Sequence, residues 1–177
     1  MSRPILHRAL SPEELQACDF ADARHTAIGE LRKYTGEEYI THPLAVADLV
    51  FSVQHTLAMR VAAILHDVVE SSAATLAEIE ALFGQEVAEL VREVTPASKS
   101  GDGNRARRKF IDREHYSAAS PSAKTIRLAD AIHNLRTIRE RDPRFARIYI
   151  PEKRLEIEVL REGDPILYKL AKDLVRE

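Results

Sequence analysis

Apolar positions along the chain recur at three- and four-residue intervals, and Ser, Thr, Asp, Gly and Pro punctuate them; the pattern predicts helix after helix. Ser11-Pro12-Glu13-Glu14 has the capping-box form. It predicts a helix to about Ile28, with Leu15, Cys18, Phe20, Ala21 and His25 near helical spacing. Tyr34-Thr35-Gly36-Glu37 interrupts the pattern and predicts a loop or short hairpin. His42-Pro43 then opens a second helix, with His42 just outside it, because Pro fits a first turn. Residues 57 to 69 carry the most apolar stretch, and a helix apolar on all sides is a buried one. Thr75-Leu76-Ala77-Glu78 is a second capping box, and Gly84 separates its helix from one over 85 to 94. Residues 97 to 104, rich in Ser and Gly, predict a loop, followed by a helix over 105 to 118. Ser120-Pro121 opens a long helix to about Arg141, and Asp142-Pro143 restarts the chain. Pro151 predicts a break or kink, and Asp164-Pro165 caps the last helix. No strict alternation is long enough for a strand. The chain reads as a single all-α domain of about eight to nine helices.

Composition narrows the chemistry. The 177 residues, 45% hydrophobic, can bury a core without staples. Lys and Arg number 26 against 28 Asp and Glu, a net charge of -2, which argues against a strongly basic nucleic-acid binder. The one cysteine, Cys18, excludes an intramolecular disulfide framework and a cysteine-built zinc site. Seven histidines direct any metal towards nitrogen and oxygen ligands. No apolar run approaches the roughly 20 residues of a membrane span, and the N-terminus lacks a signal-peptide core. The expectation is a cytoplasmic protein with no membrane or nucleic-acid partner and an open oligomeric state.

Three polar features stand out from this frame. His66-Asp67 closes the buried helix, where a carboxylate is rare unless paired or bound to metal. Taken alone, the pair is better read as a satisfied core histidine beside a hydrogen-bonded carboxylate. Arg127, Asp130, Asn134 and Thr137 fall within an arc of about 80° on one helix. A solvated outer face explains that arc equally well, given Lys124, Arg136 and Arg139 nearby. His42 is the third. Together, two imidazoles and two carboxylates on separate helices suit an octahedral divalent metal such as Mn²⁺ or Fe²⁺.

The order His42, His66-Asp67, Asp130 resembles the HD-domain phosphohydrolases. Arg32-Lys33-Tyr34-Thr35-Gly36-Glu37-Glu38-Tyr39-Ile40-Thr41-His42-Pro43 and Leu65-His66-Asp67-Val68-Val69-Glu70 are similar to segments of the hydrolase half of the RelA/SpoT homologues. So are Thr75-Leu76 through Phe83-Gly84, Val91 to Thr95, and Leu128-Ala129-Asp130 with Asn134-Leu135-Arg136. The likeness spans about residues 20 to 138, with helices over 142 to 177 packed on that core. It implies a stand-alone small alarmone hydrolase that removes the 3′-pyrophosphate of (p)ppGpp, with Mn²⁺ (or Fe²⁺ or another divalent ion) at His42, His66, Asp67 and Asp130. The resemblance further implies catalytic roles for Glu70, Ser71 and Asn134. Arg32, Lys33, Tyr39 and Asn134 would contact the purine nucleotide substrate. The basic run of Lys99, Arg105, Arg107, Arg108 and Lys109 is read either as a polyphosphate contact or as a solvated helix face.

Two departures matter. Glu70-Ser71 stands where the family has Glu-Asp, and the spacing from His25 to Arg32 is two residues longer than the usual form. Three alternatives therefore stay open: a (p)ppApp hydrolase, another HD-type nucleotide phosphohydrolase, and an alarmone-binding module with weakened catalysis.

Overall fold

A computed structural model describes residues 9–71 and 73–176, and among them it holds nine helices and one isolated antiparallel bridge. The chain divides into two compact units, Met1–Thr95 and Pro96–Glu177.

The first unit contains α1 (Pro12–Ala27), α2 (Thr41–Phe51), α3 (Leu57–Leu65), α4 (Leu76–Phe83) and α5 (Gln85–Val94). α3 is its centre and packs against α1, α2 and α5, as an all-round apolar helix must. Val61 through Leu65 are buried, alongside Val46 and Val50 of α2 and Val91 and Val94 of α5. Both capping boxes form. Ser11 Oγ accepts from the Glu14 amide while Glu14 accepts from the Ser11 amide, and Thr75 and Glu78 repeat the exchange.

Two boundaries differ from expectation, and one interruption resolves as expected. His42 lies inside the first turn of α2, because Ile40 is already helical and its carbonyl accepts the Leu44 amide at 3.2 Å. α3 stops at Leu65 rather than 69: the Val68 amide reaches only three residues back, to Leu65, and the chain tightens into turns through Ser71. The interruption at 34 to 37 is a short hairpin, closed by the Leu31–Glu38 bridge and an Arg32 amide bond to the Glu37 carbonyl at 2.9 Å.

The second unit contains α6 (Arg105–Ser117), α7 (Pro121–Arg141), α8 (Pro143–Val159) and α9 (Pro165–Leu174). α7 packs against α8 and α9, and every residue from Ala123 to Ile132 is buried, charged ones included. Pro151 sits inside α8 without ending it. The buried positions Ala146, Ile150, Lys153 and Ile157 stay in helical phase across the proline, so packing offsets the missing amide.

The α8–α9 connection runs close over α7. A Cβ at Gly163 would meet Leu128 Cδ1 at 2.9 Å and the Lys124 and Thr125 backbone at 3.0 Å, while the neighbouring Asp164 amide donates to Thr125 Oγ1. Gly163→Ala is expected to destabilise the chain by about 1–3 kcal/mol, read as a lower midpoint in urea with an unchanged slope.

Candidate metal centre

The hairpin, the start of α2 and the end of α3 converge in the first unit. α2 presents His42 from its first turn, and His66 caps α3 with Asp67 one residue beyond. One donor atom from each of His42, His66 and Asp67 lies within 4.8 Å of the others. His66 Nε2 is 3.1 Å from Asp67 Oδ1, and His42 Nε2 is 3.4 Å from Asp67 Oδ2. Both imidazoles are buried, and the Asp67 side chain is 13% exposed.

The donor chemistry fits a divalent ion. His66 Nδ1 sits 2.8 Å from the Ala63 carbonyl, an acceptor, so its proton is on Nδ1 and the Nε2 lone pair faces the cluster. Burial pushes the Asp67 carboxyl up, yet with His66 and His42 protonated their charge and hydrogen bonds, whose place a metal ion would take, outweigh it and hold the group well below the usual carboxylate range. Asp67 is therefore an anion at neutral pH, as a ligand must be.

Tyr39, expected to touch substrate, gives its hydroxyl to Asp67 Oδ2 at 2.7 Å. Its ring packs on buried His25 at 4.6 Å, and the Arg32 guanidinium lies 5.7 Å from its centroid. Lys33 instead folds over Tyr34, 4.8 Å from that ring. Tyr39→Phe should weaken metal affinity about 10- to 100-fold, the usual cost of losing a ligand's orienting partner. A Mn²⁺ titration followed by thermal stability would check it, with the metal-free fold retained.

Glu70 is exposed and Ser71 half-buried on the turns after α3, where the Ser71 amide donates to the Asp67 carbonyl at 3.0 Å.

In the second unit, Asp130 is buried rather than on a solvated face. Asn134 Nδ2 donates to its Oδ1 at 2.6 Å, and Arg127 reaches its Oδ2 at 3.2 Å. Arg127 also donates to Glu156 at 2.6 Å, Lys153 to both Glu156 oxygens at 2.9 Å, and Arg127 stacks on Tyr116 at 4.5 Å. Burial pushes Glu156 up, but Lys153 and Arg127 overcome it and hold the carboxyl at about 2. Burial also raises the Tyr149 phenol to about 12, so it stays a donor at neutral pH. Sequence reasoning missed Lys153, Glu156 and Tyr149. An i,i+3 Lys-Glu pair on an exposed helix looks the same, and only its phase with Ile150 and Ile157 hinted at burial.

The basic run divides. Arg105 is committed to Glu152 through two hydrogen bonds of 2.7 and 2.8 Å, Arg108 donates to the Gly103 carbonyl, and Lys109 sits 3.6 Å from Asp112. Lys99 and Arg107 are exposed.

A family model for the HD domain matches residues 17–156, and the chain belongs to that family. It is 37% identical over 133 residues to the human guanosine-3′,5′-bis(diphosphate) 3′-pyrophosphohydrolase MESH1, covering 73% of this chain and 71% of that one. It is 33% identical over 159 residues to the Escherichia coli bifunctional (p)ppGpp synthase/hydrolase SpoT, covering 84% of this chain but 20% of SpoT. It likewise spans 16% of a Mycobacterium leprae relative named for GTP pyrophosphokinase activity. A solved metazoan orthologue of SpoT, described as hydrolysing ppGpp, superposes with a TM-score of 0.83 at 27% identity, covering 96% of this chain and 97% of that one.

Proposed function

We propose that this chain is a metal-dependent 3′-pyrophosphohydrolase of guanosine alarmones, converting (p)ppGpp to GDP or GTP and pyrophosphate. The observation that carries it is the buried His42–His66–Asp67 cluster in a chain similar to MESH1 over most of both lengths. Mn²⁺ is the ion proposed, with Asp130 as a further ligand on the strength of the motif order. A divalent ion held there supplies charge neutralisation at a phosphoryl oxygen and acidifies water. We take both units as one hydrolase domain, since the family model spans them. The location proposed is the cytoplasm, consistent with a chain whose one cysteine, Cys18, is buried.

The chain's own residues have definable tasks. His66 is locked in one tautomer by Ala63, and Tyr39 fixes the rotation of Asp67. Arg32 offers a planar guanidinium to a purine. Asn134 shares its amide between Asp130 and substrate. Glu70 receives the proton of the attacking water. The water oxygen bonds to phosphorus, the 3′-oxygen–phosphorus bond breaks, and the proton passes to the departing 3′-oxygen.

Purified chain incubated with ppGpp or ppApp, with and without Mn²⁺, is expected to release pyrophosphate only with metal. Faster release from ppApp would move the assignment to adenosine alarmones, and release from neither would overturn both. Orthophosphate from mononucleotides would indicate another HD phosphohydrolase. The Glu70-Ser71 pair favours one second reading, an alarmone-binding module: tight binding without turnover, gained on Ser71→Asp, would establish it.

A further inference from the structure

Within the second unit, the end of α7, the first turns of α8 and the segment after α9 line an open cavity of about 430 Å³, apart from the residues assigned to catalysis. Four arginines line it: Arg139 from α7, Arg147 and Arg154 from α8, and Arg176 just beyond α9. Ile150 and Val175 are part of its apolar floor. No carboxylate is among the described lining residues.

Helix phase separates this cavity from the Asp130 face. Arg139 is nine residues after Asp130, half a turn out of register at about 100° per residue, so the two point to opposite sides of α7. On α8, Arg147 and Arg154 share a stripe, Tyr149, Lys153 and Glu156 lie on another, and Ile150 falls between the two.

Part of the charge has a structural use. Arg139 donates to the Leu174 carbonyl at 3.4 Å and Arg154 to the Val175 carbonyl at 2.6 Å, closing the C-terminal end of α9. Each bond engages one guanidinium nitrogen with a neutral acceptor and leaves the cation's charge unpaired. Arg176 lies 3.6 Å from Asp173. Arg147 has neither a hydrogen bond nor an ion pair among the described residues, so capping does not account for it. Among the described residues, the one ion pair these four guanidiniums make is that of Arg176 with Asp173, in a chain whose net charge is -2.

We infer that this cavity is a second anion site, built for a small molecule carrying at least two phosphate charges. Guanidiniums match phosphate oxygens in a forked geometry, and the volume suits a small ligand rather than a polymer. The apolar floor would lie under the body of a nucleotide, while the arginines would meet its phosphates. The site needs no metal and stands independently of the proposed hydrolase activity.

The test is calorimetric titration of the intact chain in EDTA, which strips divalent ions from the His42–His66–Asp67 cluster, with inorganic pyrophosphate, GDP and inorganic phosphate as probes. Pyrophosphate should bind more tightly than phosphate, with affinity falling as salt rises. GDP tighter than pyrophosphate would identify a nucleotide as the source, and equal affinities a free polyphosphate; either result supports the site. Arg147→Glu should weaken binding about tenfold or more with no change in melting temperature, since that side chain holds nothing in the fold. Arg154→Gln gives a second reading at the opposite wall and should weaken binding similarly. Absence of pyrophosphate and GDP binding in EDTA, or wild-type affinity in both variants, would overturn the inference. So would capture of single-stranded RNA without either small probe.

Discussion

Asp67→Asn is expected to lower pyrophosphate release from (p)ppGpp on the order of a thousandfold while leaving the chain folded. The amide keeps the carboxylate's shape and can still accept the Tyr39 hydroxyl, so the hairpin contact survives. What goes is the anion that His42 and His66 flank at 3.4 and 3.1 Å. A ligand set of two neutral imidazoles binds a hard divalent ion weakly, and several kcal/mol of charge stabilisation at the phosphoryl group disappears with it. Three readouts separate this from simple unfolding. The circular dichroism spectrum should match that of the parent, the Mn²⁺-induced rise in melting temperature should vanish, and turnover should fall at all Mn²⁺ concentrations. Retention of release within tenfold of the parent would remove Asp67 from the centre.

Glu156→Leu should be the most destabilising single substitution in the second unit, costing about 3–5 kcal/mol. Glu156 accepts from Arg127 and from Lys153, all three nearly buried, so its removal leaves two interior cations facing only Asp130. Urea denaturation gives the loss directly. The same network sets a pH window. Glu156 is held at about 2 against an ordinary 4.5, so its contribution is complete above about 4.5 and is lost as pH falls towards 2. Burial pushes Lys153 down, but Glu156 outweighs that and raises it above its ordinary 10.5. Its contribution is complete below that value and lost as pH rises beyond it. Stability should therefore hold between about pH 5 and 10 and decline on both sides. In Glu156→Gln the acid decline should be shallower, because the group whose protonation drives it is gone. An unchanged acid limb would show that other carboxylates dominate.

Helix starts were the most readable part of this fold. Ser11, Thr75, Ser120 and Asp164 each cap through a bond that spans three residues or fewer, so local chemistry alone specifies them. Helix ends were less readable. α3 stops at Leu65 although its apolar pattern continues to Val69, because the turn that presents His66 and Asp67 competes with the helix. Pro151 shows the reverse: a local breaker overruled by an in-phase buried stripe. Of the four ligands expected from order and spacing, His42, His66 and Asp67 lie together in the first unit. The task of Tyr39 was not legible, since its partner lies 28 residues away in the chain.

The sequence by itself determined an all-α chain and the His42, His66 and Asp67 side chains that could hold a metal, because caps and helical phase act over short range. Only the tertiary structure decided which charges are interior. The face carrying Arg127 and Asp130 has the composition of a solvated surface, and it is buried because Glu156 and Lys153 arrive from α8 with the matching charges. It also gathered Arg139, Arg147 and Arg154 from two helices, and Arg176 from the segment after α9, around one cavity. Phase and capping are local and periodic; charge neutralisation at a distance depends on which helices pack together.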